Sequence, residues 1–394
     1  MNGAGLRAAG LVLPLAAFIA VTFALPLGTM LVRSVYDPTV AEAMPETLTR
    51  LGEWDGAGMP DEVVYSRAAA ELARATEQGT LGQVASRINR VRSGLRSLLV
   101  RTPRQLRDSP AGPRREALLA IDERWGDPET WHAIRTAGDP LTARHYLHAL
   151  DLDRARDGSI VQRPAEERVY LRLFARTFAV GLAVTVLCML LGYPIAYLIA
   201  HASARNARWL LAFVLVPFWT SLLVRTTSWI VLLQTQGVVN DLLVTVGLVA
   251  DDGRLALVHN MTGTLVAMTH ILLPFMVLPL YSVMRGIPSR QMAAAASLGA
   301  GFFQAFRRVY WPQTVPGVGA GSLLVFILAI GYYITPALVG GQSGQLISNF
   351  IAYHMQTSLN WGLAGALGGI LLASVAALYV VYDRVVGVEG IRLG

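Results

Sequence analysis

Apolar residues along the chain are concentrated in blocks of about twenty positions that contain almost no charge. An α-helix rises about 1.5 Å per residue, so ~20 apolar residues cross the roughly 30 Å hydrocarbon core of a bilayer. The pattern therefore predicts six transmembrane helices, over residues 11–32, 174–200, 209–233, 261–284, 318–339 and 363–381. Arg7 precedes the first block, but no small-x-small cleavage site follows it. We interpret that block as an uncleaved anchor.

The segment between the first two spans, residues 34–168, is polar and has a different periodicity. Its apolar residues recur at steps of four and three, which predicts amphipathic helices with one buried stripe. The clearest stripe lies in residues 84–99 and consists of Val84, Ile88, Val91, Leu95 and Leu98. Another helix is predicted to begin after Pro60 and Asp61. We therefore expect an all-α membrane protein with three parts: an N-terminal transmembrane helix (1–33), a helical extracytoplasmic insertion (34–168) and a five-helix core (169–394).

The charge distribution orients this arrangement. Residues 34–170 hold 19 Arg against 21 Asp and Glu, so the net charge of +7 comes from the membrane part. With both termini in the cytoplasm, most arginines of the short loops and ends share one side: Arg7, Arg205, Arg208, Arg285, Arg290, Arg307, Arg308, Arg384 and Arg392. This is the positive-inside asymmetry of inner-membrane proteins. The basic surplus is therefore explained by membrane topology, and it does not indicate nucleic-acid binding.

Several kinds of chemistry leave no trace in the sequence. All 33 basic residues are arginines, and a phosphate-binding P-loop requires a lysine. A proton-driven carrier holds carboxylates within the bilayer, but the only acids between Arg172 and Tyr382 are Asp241, Asp251 and Asp252. We find no metal-ligand cluster and no catalytic constellation. The chain is therefore expected to have no catalytic residues, no metal and no cofactor of its own.

The loop of residues 285–316 joins the fourth and fifth predicted spans. Its alanine-rich start is predicted to be a helix, and Gly299 and Gly301 allow a tight turn. Phe302, Phe303 and Phe306 then form an apolar face, and the basic residues Arg307 and Arg308 follow it. Pro312 and Pro316 are expected to end the segment. Periodicity alone leaves open whether the phenylalanines lie at the lipid headgroups, against the bundle or against a partner.

This loop resembles a known family motif. Inner-membrane permeases of binding-protein-dependent ABC importers carry a loop of the form Glu-Ala-Ala…Gly…Ile-x-Leu-Pro. The loop of this chain resembles it in spacing, and the matching residues are Ala293, Ala294, Ala295, Gly299, Val309 and Pro312. Ala293 stands where the family has glutamate, and Trp311 where it has leucine. Segments 192–200, 218–229, 236–243 and 331–341 are similar to the first permease subunit of spermidine/putrescine importers.

The resemblance implies a transport subunit of a bacterial inner membrane that is not an enzyme. Its partners would be two ATPase subunits, which hold ATP and Mg²⁺, a second permease subunit in a heterodimer, and an extracytoplasmic solute-binding protein. The loop would be the coupling helix that contacts an ATPase, and two permeases would enclose the pathway. An ion-coupled secondary carrier and a membrane-anchored sensor or scaffold are the alternatives.

Candidate pathway residues lie around the third and fifth spans: Trp219, Thr220, Ser221, Arg225, Thr226, Asn240, Tyr332, Tyr333 and Thr335. Arg225 is either a structural anchor bonded to carbonyls or a group that faces the solute. Because the spans contain no carboxylate, selectivity for a polyamine would reside in the binding protein, helped by cation–π contact. Small anionic or zwitterionic solutes stay open as substrates. The insertion is either a platform for the binding protein or a spacer packed on the neighbouring subunit.

Overall fold

The computed structural model describes residues 12–107, 112–155 and 158–386. They form two compact units. The first contains the residues up to His148 together with Trp361–Ala366, and the second contains Ala149–Asn360 and the residues from Leu367. The first helix therefore groups with the insertion, and the first unit ends at His148 before it resumes at Trp361. Arg7 and Arg392 lie outside the described residues.

The first unit begins with the long apolar helix α1 (Val12–Val35), which contains a π-helical turn at Ala20–Ala24. Eight shorter helices follow: α2 (Thr39–Ala43), α3 (Pro45–Glu53), α4 (Glu62–Glu77), α5 (Leu81–Val91), α6 (Leu95–Arg107), α7 (Arg114–Ile121), α8 (Pro128–Ala137) and α9 (Arg144–Ala149). A 3-10 turn at Glu123–Gly126 precedes α8. The start of α4 directly after Asp61 agrees with the sequence prediction.

The core of the insertion is built around three aromatic side chains that water does not reach. Tyr65 and Trp131 contact edge to face at 4.7 Å between ring centroids, and Trp125 lies 5.2 Å from Trp131. Their polar atoms are satisfied, because the Tyr65 hydroxyl and the Trp131 indole both donate to the Trp125 carbonyl. The insertion thus has its own closed core.

The predicted stripe of residues 84–99 is buried except at Val91, which is half-buried, but it does not lie on one continuous helix. α5 ends at Val91, Arg92 is extended with φ −136°, and α6 begins at Leu95. Gly94 between them has φ +92°, a conformation that glycine adopts without strain. Val84, Ile88 and Leu98 still face the core, because the turn returns the chain to it.

The second unit starts with a feature that the all-α prediction missed, a short antiparallel hairpin of β1 (Leu152–Arg154) and β2 (Ile160–Gln162). Its helices are α10 (Tyr170–His201), α11 (Ala204–Trp219), α12 (Leu222–Leu233), α13 (Val238–Thr245), α14 (Met261–Arg285), α15 (Ser289–Ser297), α16 (Phe302–Gly331), α17 (Ile334–Val339), α18 (Ile347–Gln356) and α19 (Trp361–Val386). The first residues of α19 belong to the first unit.

Helices α10, α14 and α16 pack together as the core of this unit. Small residues allow α14 and α16 to approach closely. A Cβ at Gly321 would meet the Met276 sulfur at 2.8 Å, and one at Gly317 would meet Val283 at 3.1 Å. Gly317 and Gly321 lie four residues apart, a spacing of small residues that favours close packing of membrane helices. Gly365 likewise allows α19 to approach α1 closely, since a Cβ at this position would meet the Met30 carbonyl at 2.4 Å.

Five helices of the described residues are long and apolar enough to cross a membrane: α1, α10, α14, α16 and α19. The predicted third span, 209–233, is instead a pair of helices bent by 99°. Pro217 lies in the last turn of α11, and Thr220 and Ser221 that follow are extended with ψ of 144° and 143°. Proline cannot donate the next ladder hydrogen bond, so a helix ends readily beside it. The count is therefore five spans, or six if the bent pair counts as one.

Candidate functional site

The first half of the loop at 285–316 is the helix α15 with a fixed end. Gly299 follows that end with φ +87°, and its N–H donates to the Ala296 carbonyl at 2.9 Å. The next N–H, of Ala300, donates to Ala295 at 3.1 Å. These two bonds form a Schellman motif, which requires a left-handed residue at the position that Gly299 occupies. The glycine of the motif thus sets the direction in which the chain leaves α15.

The segment after Gly299 carries large apolar side chains that contact little. Leu298 is 89% exposed, Phe302 71% and Phe303 75%. We call these three residues the loop-tip surface. Exposed phenylalanines at the start of a helix are costly in water, so this surface is suited to burial against another molecule.

Phe306 does not share that exposure, although the sequence placed it on the same face. It packs inward among Tyr193 and Tyr197 of α10 and Tyr310 of its own helix, with ring centroids 6.3, 6.1 and 5.6 Å away. The reason is geometric, because Phe306 follows Phe302 by four residues and lies one turn further along α16, against α10. We call Tyr193, Tyr197, His201, Phe306 and Tyr310 the aromatic cluster.

Further contacts connect the loop to α10. Tyr197 lies 5.4 Å from Tyr310 and 4.2 Å from His201 between centroids. The Arg285 guanidinium, at the end of α14, donates to the Ala200 carbonyl at 3.2 Å. The start of α16 and the end of α14 are thereby joined to the end of α10 by packed rings and one hydrogen bond.

The two prolines of the loop lie inside α16 and do not end it. The helix runs from Phe302 to Gly331. A π-turn at Phe306–Tyr310, in which the Trp311 N–H donates to Phe306, directly precedes Pro312. A π-turn changes which carbonyls the following residues face, so the helix continues through residues that lack an N–H. The fifth span accordingly begins in the loop and ends at Gly331, eight residues before the predicted end at 339.

The remaining loop residues differ in exposure. Ala293 and Ala294 are exposed and Ala295 is half-buried. Arg307, Arg308 and Pro312 are exposed, while Val309 is half-buried. The family's glutamate position, Ala293, is therefore on the surface of α15 without a charge.

The candidate pathway residues surround two helix breaks. The first is the extended pair Thr220 and Ser221 between α11 and α12, next to Trp219, which is 78% exposed. The second separates α16 from α17 at Tyr332 and Tyr333. Thr226 and Thr335 connect the helices that follow these breaks, with their buried hydroxyls 3.2 Å apart.

Arg225 lies one turn after the first break and is half-buried. One of its terminal nitrogens donates to the Thr220 carbonyl at 3.1 Å. Its Nε is buried and has no hydrogen-bond partner among the residues that the structure describes. The bond to the Thr220 carbonyl fits the anchor interpretation, and the unpartnered Nε fits the interpretation in which the side chain faces the solute.

Asn240 has a structural role that is separate from the two helix breaks. Its side-chain amide exchanges hydrogen bonds with the backbone of Leu255 at 2.9 and 3.0 Å, and it donates to the Gln234 carbonyl at 3.1 Å. These bonds hold the loop between α12 and α14, together with Arg254, which lies 2.7 Å from Asp241. Asp241 and Asp251 hold the pKa of the Arg254 guanidinium above its usual value.

Sequence reasoning missed the aromatic cluster. Tyr193, Tyr197 and His201 recur at steps of four, which would place them on one face of a helix that was already predicted. That spacing was the available signal. The bond that the Trp229 indole donates to His270 at 3.1 Å joins α12 to α14 and gives His270 an interhelical role.

The comparison with known proteins identifies the family. Residues 189–388 match the binding-protein-dependent transport system inner membrane component. The chain belongs to this family. It is therefore a permease subunit of an ABC importer, a transport component of the bacterial inner membrane and not an enzyme. The insertion lies outside the matched segment.

The relatives of the permease carry different substrates. It is 33% identical over 216 residues to the spermidine/putrescine transport system permease protein PotB of Haemophilus influenzae, an alignment that covers 55% of this chain and 75% of that protein. PotB of Escherichia coli is 32% identical, with 55% and 78% covered. The molybdenum transport system permease protein ModB of Mycobacterium bovis is 29% identical over 233 residues, with 59% and 84% covered.

Proposed function

We propose that the permease imports a small organic solute, with spermidine or putrescine as the first candidates, and that it is driven by a separate ATPase that contacts the loop-tip surface. The single observation that carries the coupling role is the pairing of an exposed apolar tip with a packed aromatic cluster. The tip offers contact area to a partner, and the cluster transmits the partner's movement to α10.

The energy source must lie on another chain, because this sequence contains no lysine for a P-loop. ATP and Mg²⁺ would be held by two copies of the ATPase. Closure of the ATPases would draw two coupling loops together and change which side of the membrane the pathway faces. Such coupling requires a stiff contact, which the capped end of α15 and the continuous α16 provide.

The polyamine assignment is supported by the names of the PotB relatives. A second permease subunit and an extracytoplasmic binding protein would complete the importer, with the loop on the cytoplasmic side. The candidate pathway would lie at the two helix breaks, since irregular backbone at membrane depth is tolerated where it lines a cavity or contacts protein. The exposed rings of Trp219 and Tyr333 would offer cation–π contact to an ammonium group.

The decisive experiment is co-purification of the tagged permease from membranes with candidate ATPase and permease partners, followed by ATP turnover with and without the binding protein. We expect an ATPase to be retained and its turnover to rise with loaded binding protein. Absence of any retained ATPase would contradict the proposal.

Two variants test the contact itself. Phe302→Asp with Phe303→Asp places charge on the loop-tip surface and should reduce ATPase retention at least tenfold, because each buried phenylalanine contributes about 1.5–3 kcal/mol. Leu248→Asp is the matched control, since Leu248 is 73% exposed in the loop after α13. Equal retention in the two variants would remove the loop-tip surface from the interface.

A further inference from the structure

The side chain that the proposed function leaves unexplained is Arg225. Its guanidinium bonds to one backbone carbonyl, that of Thr220, while its Nε is buried and unpartnered within the described ranges. Arg176 of α10 offers a comparison, because it is also half-buried and bonds to carbonyls, those of Gln342 and Gln345. Arg176 has no buried unpartnered nitrogen among the residues described. The two arginines therefore differ in how well their own chain satisfies them.

Among the residues that the structure describes, Arg225 forms no ion pair with a carboxylate. The sequence from Arg172 to Tyr382 has three acids, and two of them, Asp241 and Asp251, pair with Arg254 at 2.7 and 2.8 Å. The third, Asp252, follows Asp251 in the same short turn.

A guanidinium nitrogen that is buried without a hydrogen-bond partner is unfavourable. Such residues in membrane helices face a partner or an aqueous path. Arg225 also stands beside an exposed stretch of extended backbone, Thr220 and Ser221, that an external group can approach. The missing counterion is thus accounted for if it comes from outside the chain.

We propose that Arg225 binds an anionic group, a carboxylate or an oxyanion, that this chain does not supply. The inference rests on the proposed function, because an external group reaches the break only if the break lines a pathway or a subunit interface. The group has two possible sources, an anionic solute in transit or a carboxylate of the second permease subunit. The planar guanidinium is suited to both, since it bonds carboxylates and oxyanions through two parallel N–H groups.

The first test uses the purified permease alone and compares Arg225→Met with Arg176→Met by thermal unfolding. Replacing an uncompensated charge by an apolar side chain of similar length should raise the unfolding midpoint by a few degrees. Arg176→Met should lower the midpoint, because it removes two hydrogen bonds. A lower midpoint for Arg225→Met would overturn the proposal, since it would mean that the chain already satisfies Arg225.

The second test identifies the source in the assembled importer, with radiolabelled spermidine and molybdate as cationic and oxyanionic probes. If the partner permease supplies the carboxylate, Arg225→Met should lower the midpoint of the complex and the retention of that subunit. If the solute supplies it, the midpoint should stay unchanged, and molybdate uptake should fall at least tenfold, with partial recovery in Arg225→Lys. An unchanged midpoint would overturn the proposal if uptake of both probes is also unchanged, or if the wild-type importer takes up no molybdate.

The two proposals fail differently. Loss of ATPase retention by the wild-type chain would contradict the importer mechanism and would leave the result on the isolated chain standing. A stabilised Arg225→Met chain within a working importer supports both.

Discussion

Gly299 shows how one residue sets the course of the loop. Its φ of +87° costs a residue with a Cβ about 1–2 kcal/mol, and no atom lies within 4 Å of where that Cβ would be. The requirement for glycine is therefore conformational and not steric. A substitution here changes the loop direction without creating a clash.

We predict that Gly299→Ala reduces ATP-driven uptake several-fold and that Gly299→Asn restores part of it, because asparagine tolerates the left-handed conformation. Gly301→Ala is the control. Gly301 has equal open space but φ −65°, which alanine adopts freely. Uptake by proteoliposomes measures the effect, and equal activity of the two alanine variants would show that the turn does not matter.

His145 makes the insertion sensitive to acid. Burial, followed by the charges of Arg87 and Arg90, lowers the pKa of its imidazole to about 3, from a usual value of 6.5. The unfolded chain therefore binds a proton between these values that the folded chain does not. The stability associated with His145 is complete above pH 6.5 and is lost progressively as the pH falls toward 3.

We predict that the unfolding midpoint of the purified permease falls between pH 7.5 and pH 5, and that His145→Gln makes this fall smaller. Each unit of pKa shift corresponds to about 1.4 kcal/mol, so the difference should be measurable by scanning fluorimetry. An identical pH dependence of wild type and variant would show that His145 stays accessible to protons.

At the level of elements, the positions of helices were predictable and their breaks were not. Apolar length located the helices near 174–200, 261–284 and 363–381 within a few residues. Prolines gave no consistent guide: the chain is broken after Pro217 but is helical through Pro194, Pro274 and Pro312. What decides is where the carbonyl left free by each proline finds a partner, and that depends on neighbouring helices.

Part of the candidate site was likewise predictable from the sequence, and part was not. The turn at Gly299 follows from local sequence, whereas the periodicity of the loop left the surroundings of Phe302 and Phe303 open. The inward orientation of Phe306 depends on α10, more than 100 positions away along the chain. Long-range packing of this kind leaves little trace in the periodicity of the loop itself.

The aromatic cluster should be the element that transmits movement. Tyr197→Ala would remove the ring between His201, Phe306 and Tyr310 while leaving the loop-tip surface intact. We expect normal ATPase retention with at least a threefold fall in solute moved per ATP hydrolysed.

Tyr379→Ala is the control for this variant, because Tyr379 is 50% exposed on α19 and makes no ring contact with the cluster in the part of the chain that the structure describes. Both quantities can be measured in the same proteoliposomes. A Tyr197→Ala permease with an unchanged ratio of transport to hydrolysis would show that the rings do not carry the motion.

At the level of the whole molecule, the charge of the loop bears on which ATPase it accepts. The segment 285–316 contains four arginines and no acid, and Arg290, Arg307 and Arg308 are exposed. Electrostatic complementarity of this kind selects partners more than it adds affinity. The cognate ATPase is thus expected to present carboxylates around the groove that receives the loop.

We predict that ATPase retention weakens as salt rises from about 0.1 to 0.5 M, since screening acts on exposed charges. Arg307→Gln with Arg308→Gln should weaken retention a few-fold at low salt and flatten the salt dependence. Arg384→Gln, an exposed arginine of α19, should leave both unchanged. A double variant with the full salt dependence of wild type would place the arginines outside the interface.

Asp151, directly before the hairpin, bears on where the insertion can be removed from the chain. The Asp151 carboxylate accepts the N–H groups of Val169, Tyr170 and Leu171, and so caps the first turn of α10. A deletion that removes the insertion should therefore end near residue 148, because one that extends to 168 would also delete the carboxylate that caps the beginning of a membrane helix.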